Sequence, residues 1–213
     1  MLKPGLTVVL SSPSGTGKTT ICHRLIKDYD DYQFSISATT RLPRGQEKDG
    51  VDYCFMTEAA FLKARADGKF IETAQYLDHW YGTPLDPLKR AMDKGKVILL
   101  DIDIQGGGSI KRALPDAVAI FLVPPSSAEL GKRLKGRKTE NLLSIKKRLS
   151  MAIEELRVWP EYDYLVVNDN LKQAVTDVHR IVCAERLKTG RLADRRYWKK
   201  SLIKLLGLNG NRR

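Results

Sequence analysis

Cysteine, histidine and long apolar runs are scarce in this 213-residue chain. Its three cysteines, Cys22, Cys54 and Cys183, stand far apart, with no CxxC pair and no histidine at zinc-ligand spacing. Neither a disulfide framework nor a zinc site is therefore expected, and the thiols read as reduced and mostly packed. Cys22 carries the alternative of a redox-sensitive thiol, because it follows a phosphate-loop signature by a few residues. His23, His79 and His179 have no Ser or Cys nucleophile at a recognisable spacing and read as structural or exposed. The longest apolar run, Ala117 to Val123, falls far short of the ~20 residues that span a bilayer. Near the N-terminus, Leu6 to Leu10 is shorter than the ~7–15 residues of a signal-peptide core. A cytoplasmic protein without membrane contact is the expectation. Internal repeats and low-complexity tracts are absent too.

What is present suits one globular unit, or a core with inserted subdomains: 24.0 kDa, 42% apolar and 29% charged residues. That composition can bury a core, which excludes disordered and fibrous classes. Thirty-seven Lys and Arg face 25 Asp and Glu, a net +12. Such a surplus points to an acidic partner. It is concentrated in two places, Lys132 to Arg148 at net +7 and Arg186 to Arg213 at net +9, and the remainder is net acidic.

Short apolar runs alternate with helical periods. Leu6 to Leu10, Val97 to Ile102, Ala117 to Val123 and Tyr164 to Val167 read as strands. Helices are expected over Lys18 to Lys27, Ser109 to Ala113, Ser127 to Leu134, Leu143 to Val158 and Leu171 to Leu187. Apolar strands separated by helices predict an α/β fold, a parallel sheet flanked by helices. Two segments break the rhythm. From Phe34 to about Thr83 the chain is polar, aromatic and turn-rich, an insert with short strands and one helix around Glu58 to Ala66. From Lys132 the chain is basic and reads as a lid, because so many like charges repel one another unless an anion sits among them. The expected organisation is a core of 1–33, 84–131 and 159–190, an insert of 34–83, a helical lid of 132–158 and a basic tail of 191–213. Trp80, Trp159, Phe61 and Phe70 read as core aromatics.

Ser12-Pro13-Ser14-Gly15-Thr16-Gly17-Lys18-Thr19 follows a strand and opens a helix, the context a phosphate-binding loop requires. Its small residues let backbone N–H groups turn toward an anion, and the helix N-terminus adds its positive end. Lys18 would reach the β and γ phosphates and the Thr19 hydroxyl would sit on Mg²⁺. Ser12 stands where a Gly is usual. A second signal is Lys96 to Asp103, an apolar strand ending in Asp101 and Asp103, at the sheet edge where ligands gather. These carboxylates read either as water-mediated metal or substrate contacts or as a helix cap.

Further motifs specify the acceptor. Ser37-Ala38-Thr39-Thr40-Arg41-Leu42-Pro43-Arg44, Glu47, Asp52-Tyr53, Phe70-Ile71-Glu72, Tyr81-Gly82-Thr83, Asp101 to Gly106 and Val167-Asn168-Asp169 together resemble guanylate kinase, in order and approximate spacing over most of the chain. The resemblance implies a P-loop NTPase core with a GMP-binding insert and a lid, ATP as donor, GMP and dGMP as acceptors, Mg²⁺ as cofactor, and a place in guanine nucleotide recycling. It implies that Glu72 accepts from guanine N1–H and the N2 amine, that Ser37 and Thr83 donate to O6, and that Arg41, Arg44, Tyr53 and Tyr81 grip the GMP phosphate. Glu47 would hold that cluster, although Gly45-Gln46-Glu47 departs from the usual Gly directly before Glu. Asp101 and Asp103 belong to the implied GMP set, and Asp101 to the metal through water. Lys18, Arg44, Arg133, Arg137 and Arg148 would compensate charge during transfer, and Asn168 would contact adenine, an Asn-Asp turn being the alternative. No specific nucleic-acid partner is implied. For the tail the readings are a solvated terminal helix or weak polyanion contact.

Overall fold

The computed structural model describes residues 5–76, 78–135 and 150–193. Among the described residues nine strands form two sheets. Five of them, β1 (Leu6–Ser11), β2 (Tyr32–Phe34), β7 (Val97–Asp101), β8 (Val118–Val123) and β9 (Tyr164–Val167), build a parallel sheet in the order β2-β7-β1-β8-β9. All six β1 residues are buried, which its unbroken apolar run requires of a central strand covered on both faces.

Alternation along β1 divides the core. Leu6, Val8 and Leu10 pack with Ile21 and Leu25 of α1 (Lys18–Asp28) and with Val175, Val178 and Val182 of α7 (Leu171–Arg186). Val9 faces the other way, toward Leu88 of α3 (Leu85–Asp93) and Ile110 of α4 (Ile104–Ala113). The period of two along the strand thus meets a helical stripe on each side.

The remaining strands, β3 (Ala38–Thr39), β4 (Cys54–Phe55), β5 (Phe70–Tyr76) and β6 (His79–Pro84), form a mixed sheet ordered β4-β3-β6-β5. It is backed by α2 (Glu58–Ala66), which Thr57 caps by accepting from the Ala60 N–H. Phe61 is fully buried and stacks on Phe70 with ring centroids 4.6 Å apart. Helix α5 (Ser127–Lys135) runs unbroken through residue 132, and helical residues 150–156 (α6) lie against it through Ala152, Leu130 and Leu134. A short helix, α8 (Thr189–Ala193), follows α7. Among the described residues no helix is long and apolar enough to cross a membrane.

Several expectations need correction. The helix expected from Ser109 starts at Ile104, because Asp103 caps it by accepting from the Gly106 N–H at 2.8 Å. Trp159 is 53% exposed rather than core, since it sits on a 3-10 turn, Trp159–Glu161, outside both sheets. Of the thiols only Cys22 is packed, while Cys54 and Cys183 are exposed. Burial pushes the Cys22 thiol far above its ordinary pKa, which speaks against a redox-sensitive role there. His179 is structural: it stacks on Tyr29 at 3.7 Å between centroids and shares a 2.9 Å hydrogen bond with the Tyr32 hydroxyl. Cys183, one helical turn further on, lies 3.4 Å from its Nε2.

Candidate functional site

Register places the first cluster. Leu10 pairs with Asp101, so the loop leaving β1 and the acid ending β7 emerge side by side at the carboxyl edge of the sheet. There Lys18 Nζ contacts Asp101 Oδ1 at 2.9 Å and donates to the Ile102 carbonyl at 2.6 Å. The Thr19 hydroxyl donates to Asp101 Oδ2 at 2.7 Å. One carboxylate thereby holds both reactive ends of the loop. The Pro13 carbonyl accepts from the hydroxyls of Ser12, at 3.1 Å, and Thr16, at 2.8 Å, so Ser12 finds a partner inside the loop. Gly17, the residue before α1, has φ 92°, and a Cβ there would stand 2.7 Å from Asn168 Nδ2. Side chains other than glycine are excluded on both counts.

Behind the loop, the Asn168 amide donates to the Thr16 carbonyl at 2.6 Å. Arg133 donates to the Asn168 carbonyl at 3.0 Å and to Glu129 at 3.1 Å. Asn168 therefore buttresses the loop in this arrangement. Arg137 and Arg148 lie outside the described residues.

A second cluster lies on the mixed sheet. Arg41 is 6% exposed and makes a forked pair with Glu47, Nη1 to Oε2 at 2.6 Å and Nη2 to Oε1 at 2.7 Å. Its guanidinium lies 4.8 Å from the Tyr53 ring centroid, and the Tyr53 and Tyr81 rings meet edge to face at 6.2 Å. Burial raises the Tyr53 phenol, which keeps it a proton donor at neutral pH. Gly45 resolves the unusual Gly-Gln-Glu order. At φ 58° it reverses the chain, so that Glu47 also accepts from the Arg44 N–H at 2.8 Å. The exposed Arg44 joins the cluster through its backbone N–H, and its charge also lowers the Glu47 carboxyl.

The Arg41 fork, and then the Arg44 N–H, hold the Glu47 carboxyl down at about 2, from 4.5. A carboxyl lowered on folding stabilises the folded state above its unfolded value, and that contribution is lost as pH falls through about 2. Glu47→Gln should accordingly flatten the loss of stability between pH 4.5 and about 2, read as urea midpoint against pH. A variant profile parallel to the parent's would contradict this.

Third, Glu72 on β5 faces Thr83 on β6. The fully buried Thr83 hydroxyl donates to Glu72 Oε1 at 2.9 Å, and burial raises the Glu72 carboxyl. Ser37 precedes β3 and accepts the Cys54 N–H through its carbonyl. Asp103 is spent on capping α4, and its charge also raises Glu72.

One participant was not expected from the sequence. Burial raises the carboxyl of Glu155 on α6, and the charge of Asp103 adds to this. The only signal for Glu155 is an acid directly after a strongly basic segment.

Comparison with known proteins gives a consistent result. The family model described as Guanylate kinase matches residues 5–185. The guanylate kinase of Myxococcus xanthus (strain DK1622) is 46% identical over 193 residues, covering 90% of this chain and 92% of that protein. That of Clostridioides difficile (strain 630) is 42% identical over 190 residues, covering 89% and 93%. Among solved structures, guanylate kinase from Anaplasma phagocytophilum superposes with a TM-score of 0.73 at 32% identity, covering 93% of this chain and 95% of that one.

Proposed function

The chain belongs to the guanylate kinase family, and from that premise we propose how its residues transfer the γ-phosphoryl group of ATP to GMP, giving ADP and GDP. With a second pKa of about 6, the GMP phosphate is mostly a dianion at pH 7 and already a nucleophile. No general base is needed. The protein's work is in-line positioning and compensation of the charge on the moving phosphoryl group.

On the donor side, residues Ser12 to Thr19 cradle the ATP phosphates and Lys18 turns from Asp101 to the β and γ oxygens. Thr19 and Asp101 present hard oxygen donors 2.7 Å apart, a set that fits Mg²⁺ bound through the hydroxyl and a water on the carboxylate. When bound there, the cation would neutralise phosphate charge. Arg133, with Arg137 and Arg148, supplies further cations, and Asn168 steadies the loop from behind while lying at the adenine side.

On the acceptor side, Arg41 and Arg44 hold the GMP phosphate with Tyr53 and Tyr81, and Glu47 keeps Arg41 flat and aimed. Glu72 accepts from guanine N1–H and N2. The Thr83 hydroxyl has a single proton, so it turns from Glu72 to O6 as guanine takes both carboxylate oxygens, and Ser37 supplies a second donor. Residues 34–83 form the GMP-binding unit, 132–158 the lid, and Asp103 fixes the start of α4 between the substrates.

The Glu72–Thr83 pair is the observation that carries the guanine assignment. Adenine has an acceptor at N1 and would leave this half-buried carboxylate unpaired, a mismatch worth roughly 10⁴-fold in discrimination. Release of ADP, followed with Mg-ATP and a panel of nucleoside monophosphates, should therefore be fast with GMP, present with dGMP and about 10⁴-fold slower with AMP. Turnover of AMP or UMP at rates like that of GMP, or no ADP release with GMP, would reject the assignment.

A further inference from the structure

The Thr16–Gly17 peptide is fastened from outside the phosphate loop. Its carbonyl accepts from two donors that belong to distant parts of the chain, Asn168 Nδ2 at 2.6 Å and Arg133 Nη1 of α5 at 3.5 Å. The same guanidinium donates to the Asn168 carbonyl at 3.0 Å, and its Nε donates to Glu129 at 3.1 Å. Asn168 is in turn fixed by the sheet. It directly follows β9, its N–H donates to the Val123 carbonyl at the end of β8 at 2.8 Å, and the residue is 6% exposed. Gly17 shows how closely loop and side chain approach, since a Cβ there would meet Asn168 Nδ2 at 2.7 Å.

We propose that Asn168 acts on the donor nucleotide through the loop and not through the base: its amide sets the direction of the Thr16–Gly17 peptide and thereby aims the Gly17 N–H at the phosphates. The inference rests on the reading of residues 12–19 as the ATP site and gives Asn168 a part in it that adenine does not enter. In a planar trans peptide the C=O and the following N–H point in opposite directions. Holding the Thr16 carbonyl outward therefore turns the Gly17 N–H inward, at the head of α1, where backbone donors gather around an anion. The Thr16 N–H cannot take this place, because it is spent on the Pro13 carbonyl at 3.4 Å. A carbonyl only accepts, so the position behind it needs a donor, and the Asn168 amide supplies one from a backbone that the sheet holds still. Arg133 extends the clamp to α5, the helix that leads into the lid. Because Asn168 touches the loop and not the reacting atoms, it is a positioning residue.

Asn168→Ala tests this by calorimetry with Mg-ATP and with tripolyphosphate, which has neither base nor sugar. Both ligands should bind about 5- to 30-fold more weakly and in equal proportion, the range expected when a buried carbonyl loses its donor. GMP binding to the nucleotide-free variant should match the parent's, a contrast that general loosening of the fold would not produce. Asn168→Leu, which is close in size and also lacks a donor, decides if the Ala variant does not fold. Weaker binding of Mg-ATP with tripolyphosphate unchanged would overturn the proposal in favour of a contact to the base, and unchanged binding of both ligands would overturn it outright. Failure of the parent protein to phosphorylate GMP would reject the kinase reading instead, with the tripolyphosphate comparison still deciding the role of Asn168.

Discussion

Glu72→Gln is expected to lower kcat/KM for GMP by about 10³- to 10⁴-fold while leaving ATP affinity unchanged and making the free protein more stable. The activity loss comes from one atom. A glutamine offers a single acceptor oxygen, so its NH₂ would oppose the N1–H or N2 donors of guanine, donor against donor in a half-buried site. The stability gain comes from the same carboxylate in the absence of substrate. Burial raises Glu72 above its usual 4.5 and the nearby Asp103 adds to this, while Thr83 supplies the opposing hydrogen bond. In the variant the Thr83 hydroxyl can still donate to the amide oxygen, so the substitution removes a charge without orphaning its buried partner.

A carboxyl raised on folding contributes stability at low pH, and the contribution is lost as pH rises through its folded pKa. The variant should therefore exceed the parent in Tm by about 1–4 °C at pH 7 and lose that advantage below about pH 4. Differential scanning calorimetry at both pH values, with the monophosphate assay, separates the two effects. Activity within tenfold of the parent, or a lower Tm at pH 7, would remove Glu72 from the guanine site.

Legibility in the sequence followed the range of the interactions. β1 was plain because a central parallel strand needs apolar residues on both faces, and α2 emerged with the expected bounds, Glu58–Ala66, because its cap and helix formers are contiguous. The first turn of α4 was hidden by Gly106, Gly107 and Gly108, which carry little helical propensity, and it forms because Asp103 caps it. Pairing of β3 with both β4 and β6 was not legible, since two-residue strands have no period to read. The loop signature declares itself because backbone geometry ties its spacing to anion binding. Contacts that cross the chain do not: Lys18 with the Ile102 carbonyl and Asn168 with Thr16 depend on strand register. Resemblance supplied candidate roles. The folded chain adds which donors are already engaged, as when Thr83 donates to Glu72 and Arg41 to Glu47.

Lys18→Met should lower kcat by about 10³-fold or more, because a preorganised cation at the transferring phosphoryl group acts where charge develops and water is excluded. The same substitution has a structural cost that must be separated from catalysis. Lys18 and Asp101 are 16% and 20% exposed, and removing the ammonium leaves the Asp101 carboxylate facing the neutral Thr19 hydroxyl. Breaking a fully buried pair costs about 3–5 kcal/mol, and partial exposure reduces this to about 1–3 kcal/mol here. Combining Lys18→Met with Asp101→Asn removes the uncompensated carboxylate, so the double variant should regain most of the lost stability and none of the activity. Sites in direct contact are non-additive, and a recovered urea midpoint measures their coupling. If the single variant keeps more than a tenth of the parent kcat, Lys18 serves to pair Asp101 and the charge compensation lies with the arginines.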